Sequence, residues 1–381
     1  MMLTLRNHPF LKYWYNRWCS VSLLDEVLSR SPESSVTKFS SLQPVTSSNV
    51  LPHTVEHKTS DFDKALYLLQ NNPPEQRLDI PLSHFQYRKL EESWSKFKSE
   101  NNTKEEKRYP SLSYNSLEEI ATVVTTQSAL HDYIGSVFRK MIESSVSEYL
   151  SAYKPRAISR IKDLGSTTMV QWNPDGEDMS SKEPDQSFGY QRDEEKPRLQ
   201  VAIECGVSEN YKALCRDKDL WIHQLGAKVV VLLCLKETPQ FRSPRTAFFH
   251  IKDPFAEVKN LGRHADNAIN LEQGIYGPID YRKHSWVGEV SELFVEVWRD
   301  DGKQPVRKWL IQEGQKCSHL PKTVGLKISD FFPENEWDAL KVPDSSVRFR
   351  RHLFKELAGA MKLTAEWRFL VFARQSRKAK R

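Results

Sequence analysis

Two apolar runs joined by a helical pattern, between Pro184 and Leu235, constrain this chain more than anything else in it. The first, Leu199 to Cys205, alternates. Leu199, Val201 and Ile203 fall on one side, and Gln200, Ala202 and Glu204 on the other. Ser208 then stands where an N-cap belongs, with Glu209 in the first turn. Tyr211, Leu214, Cys215, Trp221, Ile222 and Leu225 predict an amphipathic helix closed by Gly226. Val229 to Leu235 is apolar without alternation, the pattern of a strand covered on both faces. Strand, helix, strand in that order predicts a crossover, and crossovers join parallel strands. The shorter run PDQSFGY ahead of it adds a further strand.

Two acids stand out in this frame. Asp185 follows a proline, and Glu204 lies within the central strand. A carboxylate in a buried strand is costly unless a charge, a metal or hydrogen bonds receive it. Carboxylates delivered from neighbouring strands hold Mg2+ or Mn2+ with waters left on the ion, which suits phosphodiester chemistry. Structural readings stand beside this one: Asp after Pro caps its own turn, and Glu204 pairs with Lys212 or Lys218 as a half-buried ion pair.

Pro184-Asp185, Ile203-Glu204-Cys205-Gly206 and the helix SENYKALCRDKDLW resemble the PD-(D/E)XK nuclease superfamily. The likeness is greatest to the branch holding the Uma2-type proteins and a set of uncharacterised fungal proteins. The resemblance implies an α/β (α+β) restriction-endonuclease-like core, a mixed central sheet flanked by helices. It also implies an Mg2+- or Mn2+-dependent endonuclease in which Asp185 and Glu204 bind the metal and act in catalysis. The superfamily's lysine two residues after the second acid is replaced here by Gly206. In Uma2-like members a lysine fourteen positions after the acid takes that role, and that position is Lys218. Ser128-Ala129-Leu130-His131-Asp132 resembles the Ser-x-x-His-Glu sequence that opens the first core helix, which implies Asp132 as a third metal ligand. An acid there also favours the positive end of a helix by ~0.3–1 kcal/mol without any metal. Ile328 to Pro333 resembles the segment closing the fungal proteins, so the likeness spans residues 75–335. With Gly206 in the lysine's place, the alternative is a non-catalytic member of the fold, an interaction module for nucleic acid or protein.

Around this core the chain reads as an extension and linker over 1–60, a domain over 61–340, and a basic helix and tail over 341–381. Residues 1–24 carry Arg6, Lys12 and Arg17 and no acid, the composition of a mitochondrial presequence or of a helix packing Trp14, Tyr15 and Trp18. The stretch 29–60, rich in Ser, Thr and Pro, predicts a disordered linker. Helices are predicted over 62–69, after Ser83, and from Leu130 to Leu150 behind a Ser128 cap. A first core strand with a turn at Gly165 is expected over 157–170; within 176–196 only 184–190 is strand-like. TAFFHIKD predicts a strand, and 253–285 a loop whose His264, Asp266, Arg282 and His284 read as solvated positions. Strands follow at 289–298, at KWLIQEG and at TVGLKIS.

Five cysteines form no CxxC pair and no zinc spacing, the usage of reduced thiols inside a cell. No apolar run approaches the roughly 20 residues that span a bilayer. From Val347 onward eleven Lys and Arg face only Glu356 and Glu366, so the remainder of this +6 chain is net acidic. A basic end on a near-neutral body suggests a nucleic-acid partner, and RQSRKAKR suits nuclear import as well as phosphate contact. The nucleus is the favoured address and the mitochondrion the other. A nucleotide-binding enzyme is disfavoured, since neither a GxGxxG nor a phosphate loop occurs, and a serine hydrolase lacks its GxSxG.

Overall fold

The computed structural model describes residues 60–73, 75–101, 109–125, 127–172, 176, 179–207, 210–244 and 253–378. All lie in one unit, Lys58–Arg381. The presequence-like residues 1–24, the linker up to residue 59, the strand expected at TAFFHIK and the last three residues fall outside them.

The chain first builds an outlying layer. α1 (Asp61–Asn71) starts at a Ser60 cap. It is followed by β1 (Arg77–Pro81) and by α2 (His84–Glu100), opened by a Ser83/Gln86 capping box. β2 (Ser111–Asn115) and β3 (Ile120–Val124) pair with each other, and β3 also pairs with β1. Leu69, Ile80, Leu90, Trp94 and Val123 form the core of this layer. Then comes α3 (Ala129–Tyr153), capped by Ser128 and buried along most of its length, as its apolar spacing predicts.

The span expected to be one core strand is broken up. It contains a short helix α4 (Pro155–Ile158), β4 (Ile161–Asp163), a turn in which Gly165 takes a positive φ of 56°, and β5 (Met169–Trp172). β5 and β6 (Met179–Lys182) leave the core and join the outlying sheet, whose order is β1-β3-β2-β6-β5. β6 is a strand where none was expected. Its sequence, Met-Ser-Ser-Lys, has no apolar alternation, yet all four residues are buried.

β7 (Gln186–Tyr190), β8 (Arg198–Val207), α5 (Tyr211–His223) and β9 (Val229–Thr238) form the expected crossover. β8 and β9 are parallel, from Val201 opposite Val229 to Val207 opposite Leu235. The helix cap is Asn210, whose side chain accepts from the Lys212 amide; Ser208 lies outside the described residues. The expected loop at 253–285 instead opens with a helix, α6 (Pro254–Ala268). Asp253 accepts from the Phe255 and Ala256 amides and Pro254 fills the first turn, a start signal present in the sequence.

Small hairpins follow: β10 (Ile269–Asn270) with β11 (Ile275–Tyr276), and β12 (Ile279–Tyr281) with β13 (His284–Val287). β14 (Glu289–Arg299), β15 (Lys308–Gln312) and β16 (Gln315–Lys316) complete a seven-stranded sheet ordered β16-β15-β14-β9-β8-β7-β4. Only β8 and β9 run parallel in it, so the central sheet is mixed. β17 (Thr323–Lys327), a 3-10 turn at Ile328–Phe331, α7 (Glu334–Leu340) and β18 (Ser346–Arg348) lead into α8 (Leu353–Lys378). α8 is not an appendage. It packs on α3 and α6 within the same unit and buries Leu357, Met361, Phe369 and Phe372.

The fold is thus mixed α/β, and its core order is helix, strand, strand, strand, helix, strand (α3, β4, β7, β8, α5, β9). The described cysteines Cys205, Cys215, Cys234 and Cys317 are free thiols. Among the described residues no helix is long and apolar enough to cross a membrane.

Candidate active site

Antiparallel pairing of β7 with β8 sets Gln186 opposite Ile203. Asp185, one residue earlier, therefore arrives beside Glu204. Its Oδ2 accepts the Cys205 backbone N–H at 2.7 Å, which pins it across to β8. Glu204 is 4% exposed. The indole N–H of Trp221, on α5, donates to its Oε1. The Lys182 ammonium, on β6, lies 3.5 Å from the same oxygen.

Lys182 also reaches Asp217 of α5, at 3.1 Å. Asp217 in turn accepts both terminal nitrogens of Arg77, at 2.7 and 3.0 Å. Asp79, next along β1, takes the Arg77 Nε, the Thr122 hydroxyl and the Arg216 guanidinium. The outlying sheet is therefore fastened to α5 by charge, and this fastening carries Lys182 to Glu204.

The electrostatics follow from burial. Desolvation pushes the Glu204 carboxyl up to about 8; Lys182 pulls it down, but the charges of Asp185 and Asp217 push it further up. Burial works against charge on Lys182, yet Asp217 and then Glu204 outweigh it and hold the ammonium above its usual range. Asp217 is also buried, and Lys182 and Arg77 together keep it ionised and below the ordinary carboxylate range. Burial, more than any neighbouring charge, is what makes the Glu204 carboxylate costly.

His131, from the first turn of α3, completes the surroundings. Its Nε2 lies 3.3 Å from Asp185 Oδ2 and its Nδ1 3.5 Å from Asp132 Oδ1. These are ion-pair distances without hydrogen-bond alignment. Burial disfavours the charged ring, but Asp185 and Asp132 overcome it and raise the imidazole well above its usual value.

Of the four residues expected from the sequence, Asp185 and Glu204 meet. Asp132 does not join them directly: the imidazole of His131 stands between it and Asp185. Lys218 does not reach Glu204 either. Its ammonium is engaged by Asp219 and lies 4.3 Å over the Trp298 ring. Successive helix positions differ by about 100°, so with Asp217 aimed at Lys182 its neighbour is turned away. A Cβ at position 206 would stand 2.3 Å from Leu214 Cδ1, so a lysine there would require the Leu214 side chain to shift.

Lys182 and His131 are the residues that sequence reasoning missed. The histidine was in view, beside Asp132 behind a Ser128 cap. Lys182 stands three residues before Asp185, but nothing in Met-Ser-Ser-Lys marks a buried strand.

Two carboxylates are hard oxygen donors of the kind Mg2+ and Mn2+ accept while keeping several waters. Among the described residues no group of three or more His, Cys, Asp or Glu is arranged around one point for a metal. No protein-family model and no curated protein matches the chain.

Proposed function

We propose that the Asp185–Glu204 site is that of a metal-dependent phosphodiesterase, a nuclease of PD-(D/E)XK type, in which Lys182 takes the lysine's part. The observation that carries this reading is the convergence of Asp185, Glu204 and a buried, charged Lys182, with burial pushing the Glu204 carboxyl up to about 8. Perturbed groups gathered in this way are a mark of functional sites.

Asp185 and Glu204 would hold the ion, which when bound supplies a water acidic enough to attack phosphorus near neutral pH. The Cys205 amide fixes Asp185, and the Trp221 indole fixes Glu204. Lys182, kept protonated by Asp217, serves as a fixed positive charge toward the phosphate oxygens as negative charge builds on them. It is no proton acceptor.

A second reading is supported by the same contacts: a non-catalytic scaffold that binds nucleic acid or protein, in which Lys182 at 3.5 Å replaces the metal as the counter-charge to Glu204. Calorimetric titration with Mg2+ and Mn2+ of the wild type and of Glu204→Gln separates the two, paired with cleavage assays on DNA and RNA. Metal binding and cleavage in the wild type, both lost in the variant, are expected. Absence of metal binding in a folded wild type leaves the scaffold. The basic C-terminal residues make nucleic acid the first partner to try, and the nucleus the first compartment.

A further inference from the structure

Beyond Glu204 on β8, the sheet opens into a cleft of about 500 Å3. Gly206 forms part of its floor. It lies two residues past Glu204 on the same strand face, about 7 Å along at ~3.3 Å per residue. Tyr211, 36% exposed, is an aromatic wall, Phe294 is buried beneath the Arg307 guanidinium, and Arg307 supplies a cation.

Arg307 is held rather than loose. Glu296 accepts its Nε at 2.8 Å and also accepts the Tyr211 hydroxyl at 2.6 Å. The guanidinium lies 3.8 Å from the Phe294 ring centre and 5.0 Å from that of Tyr211. A third of the side chain, 33%, is still exposed to the cleft side of this stack.

The acids of the cleft are already matched. Glu237 is bound by Arg368 and Glu292 lies 3.0 Å from Lys236. At Gln240 the cleft adjoins a second, of about 330 Å3, whose lining includes Arg242 and Lys283 and no acid. Cations therefore follow one another from cleft to cleft, Arg307 beside Tyr211 in the first and Arg242 and Lys283 in the second.

We propose that this double cleft is the binding groove for a single strand of nucleic acid, with a base stacking on Tyr211 and phosphates on Arg307, Arg242 and Lys283. An exposed ring followed by cations along one path suits a strand whose bases are unstacked and whose backbone is followed by charge. A duplex keeps its bases paired and offers the ring nothing to stack on. The inference rests on the phosphodiesterase reading for the direction in which the strand runs.

The test is fluorescence anisotropy of end-labelled single-stranded DNA and RNA, and of a matched duplex, with the full chain in EDTA. Single strands bind more tightly than the duplex. Arg242→Glu combined with Lys283→Glu, both at exposed positions, weakens binding by about tenfold or more. The same pair lowers the slope of log affinity on log salt by about 1.4, roughly 0.7 for each phosphate that is no longer neutralised. Arg307→Lys, which keeps the charge but not the stacked plane, weakens it by about threefold to tenfold. Unchanged affinity and slope in the double variant, duplex preference, or no single-strand binding overturns the proposal. Metal-dependent cleavage on the same proteins keeps the two readings apart. Cleavage that needs Glu204 but ignores the cleft charges leaves the site and removes the groove. Single-strand binding that needs those charges, without cleavage, leaves the groove and removes the nuclease.

Discussion

Two buried charge clusters in this molecule each set a cation between two carboxylates, and they finish in different states. One centres on Arg368 of α8, whose side chain is 2% exposed. Its guanidinium donates to Glu75, to Glu237 and to the Trp286 carbonyl, through bonds of 2.6 to 3.0 Å that engage all three nitrogens. The other centres on Lys182, whose single ammonium is shared between Asp217 and Glu204, while Asp217 also takes both arms of Arg77. A guanidinium fork satisfies two carboxylates at once; an ammonium is a point charge and leaves one of them short. The one left short is Glu204, which burial drives up to about 8 against the pull of Lys182. The closed cluster binds α8 to the end of β9 and to the loop before β1. The open one leaves Glu204 buried and only partly matched in charge, the feature on which the proposed metal site rests.

This contrast breaks if the two clusters respond alike to mutation. The largest expected effect is Arg368→Leu, which leaves Glu237 buried without its cation and costs about 3–5 kcal/mol in denaturant unfolding. Metal binding per folded molecule stays unchanged. Lys182→Met costs less stability, about 1–3 kcal/mol, because Asp217 keeps Arg77 and Glu204 takes a proton. Its main effect is on metal-dependent cleavage, which falls about 10²–10³-fold at saturating Mg2+ in a steady-state assay.

Glu204→Gln sharpens the comparison through pH. The folded carboxyl titrates at about 8, above its ordinary 4.5, so the neutral group's contribution to stability is complete below 4.5 and is lost as pH rises to about 8. The glutamine variant lacks that loss. Its stability relative to wild type is expected to improve between pH 5 and pH 8 by about 1–2 kcal/mol, read from melting curves at each pH. Smallest of all is Lys218→Ala, about 0.5–1 kcal/mol for the contact with Trp298, with cleavage unaltered. A hundredfold loss of cleavage in that variant would return the lysine's role to position 218.

Much of the fold was legible in the sequence. The alternation of Leu199–Cys205, the valine run from Val229 and the helix between them predict a parallel crossover, and β8, α5 and β9 form one. Ser128 with the apolar spacing of Leu130 to Leu150 predicts α3. The opposite holds at β6. Met179–Lys182 carries no period-2 apolar signal, because its buried serines and lysine are satisfied by partners distant in sequence: Tyr87 for Ser181, Gln224 for Ser180, Asp217 for Lys182. α6 was missed for a different reason. Its cap, Asp253-Pro254, is a local signal, masked by the Gly and Pro of the hairpins after it.

Sequence alone determined which strands are neighbours and that Asp185 and Glu204 arrive together, because strand pairing and crossover hand follow from local pattern and backbone sterics. Only the tertiary structure decided which cation meets them. Lys218 has the expected spacing, but the turn of α5 aims it at Asp219 and Trp298. Lys182 has no signature, but the outlying sheet, fastened to α5 through Arg77 and Asp217, carries it to Glu204. The direction of a side chain on a helix, and the docking of one sheet against another, are settled by packing and by charge balance between distant segments, and neither leaves a period in the sequence.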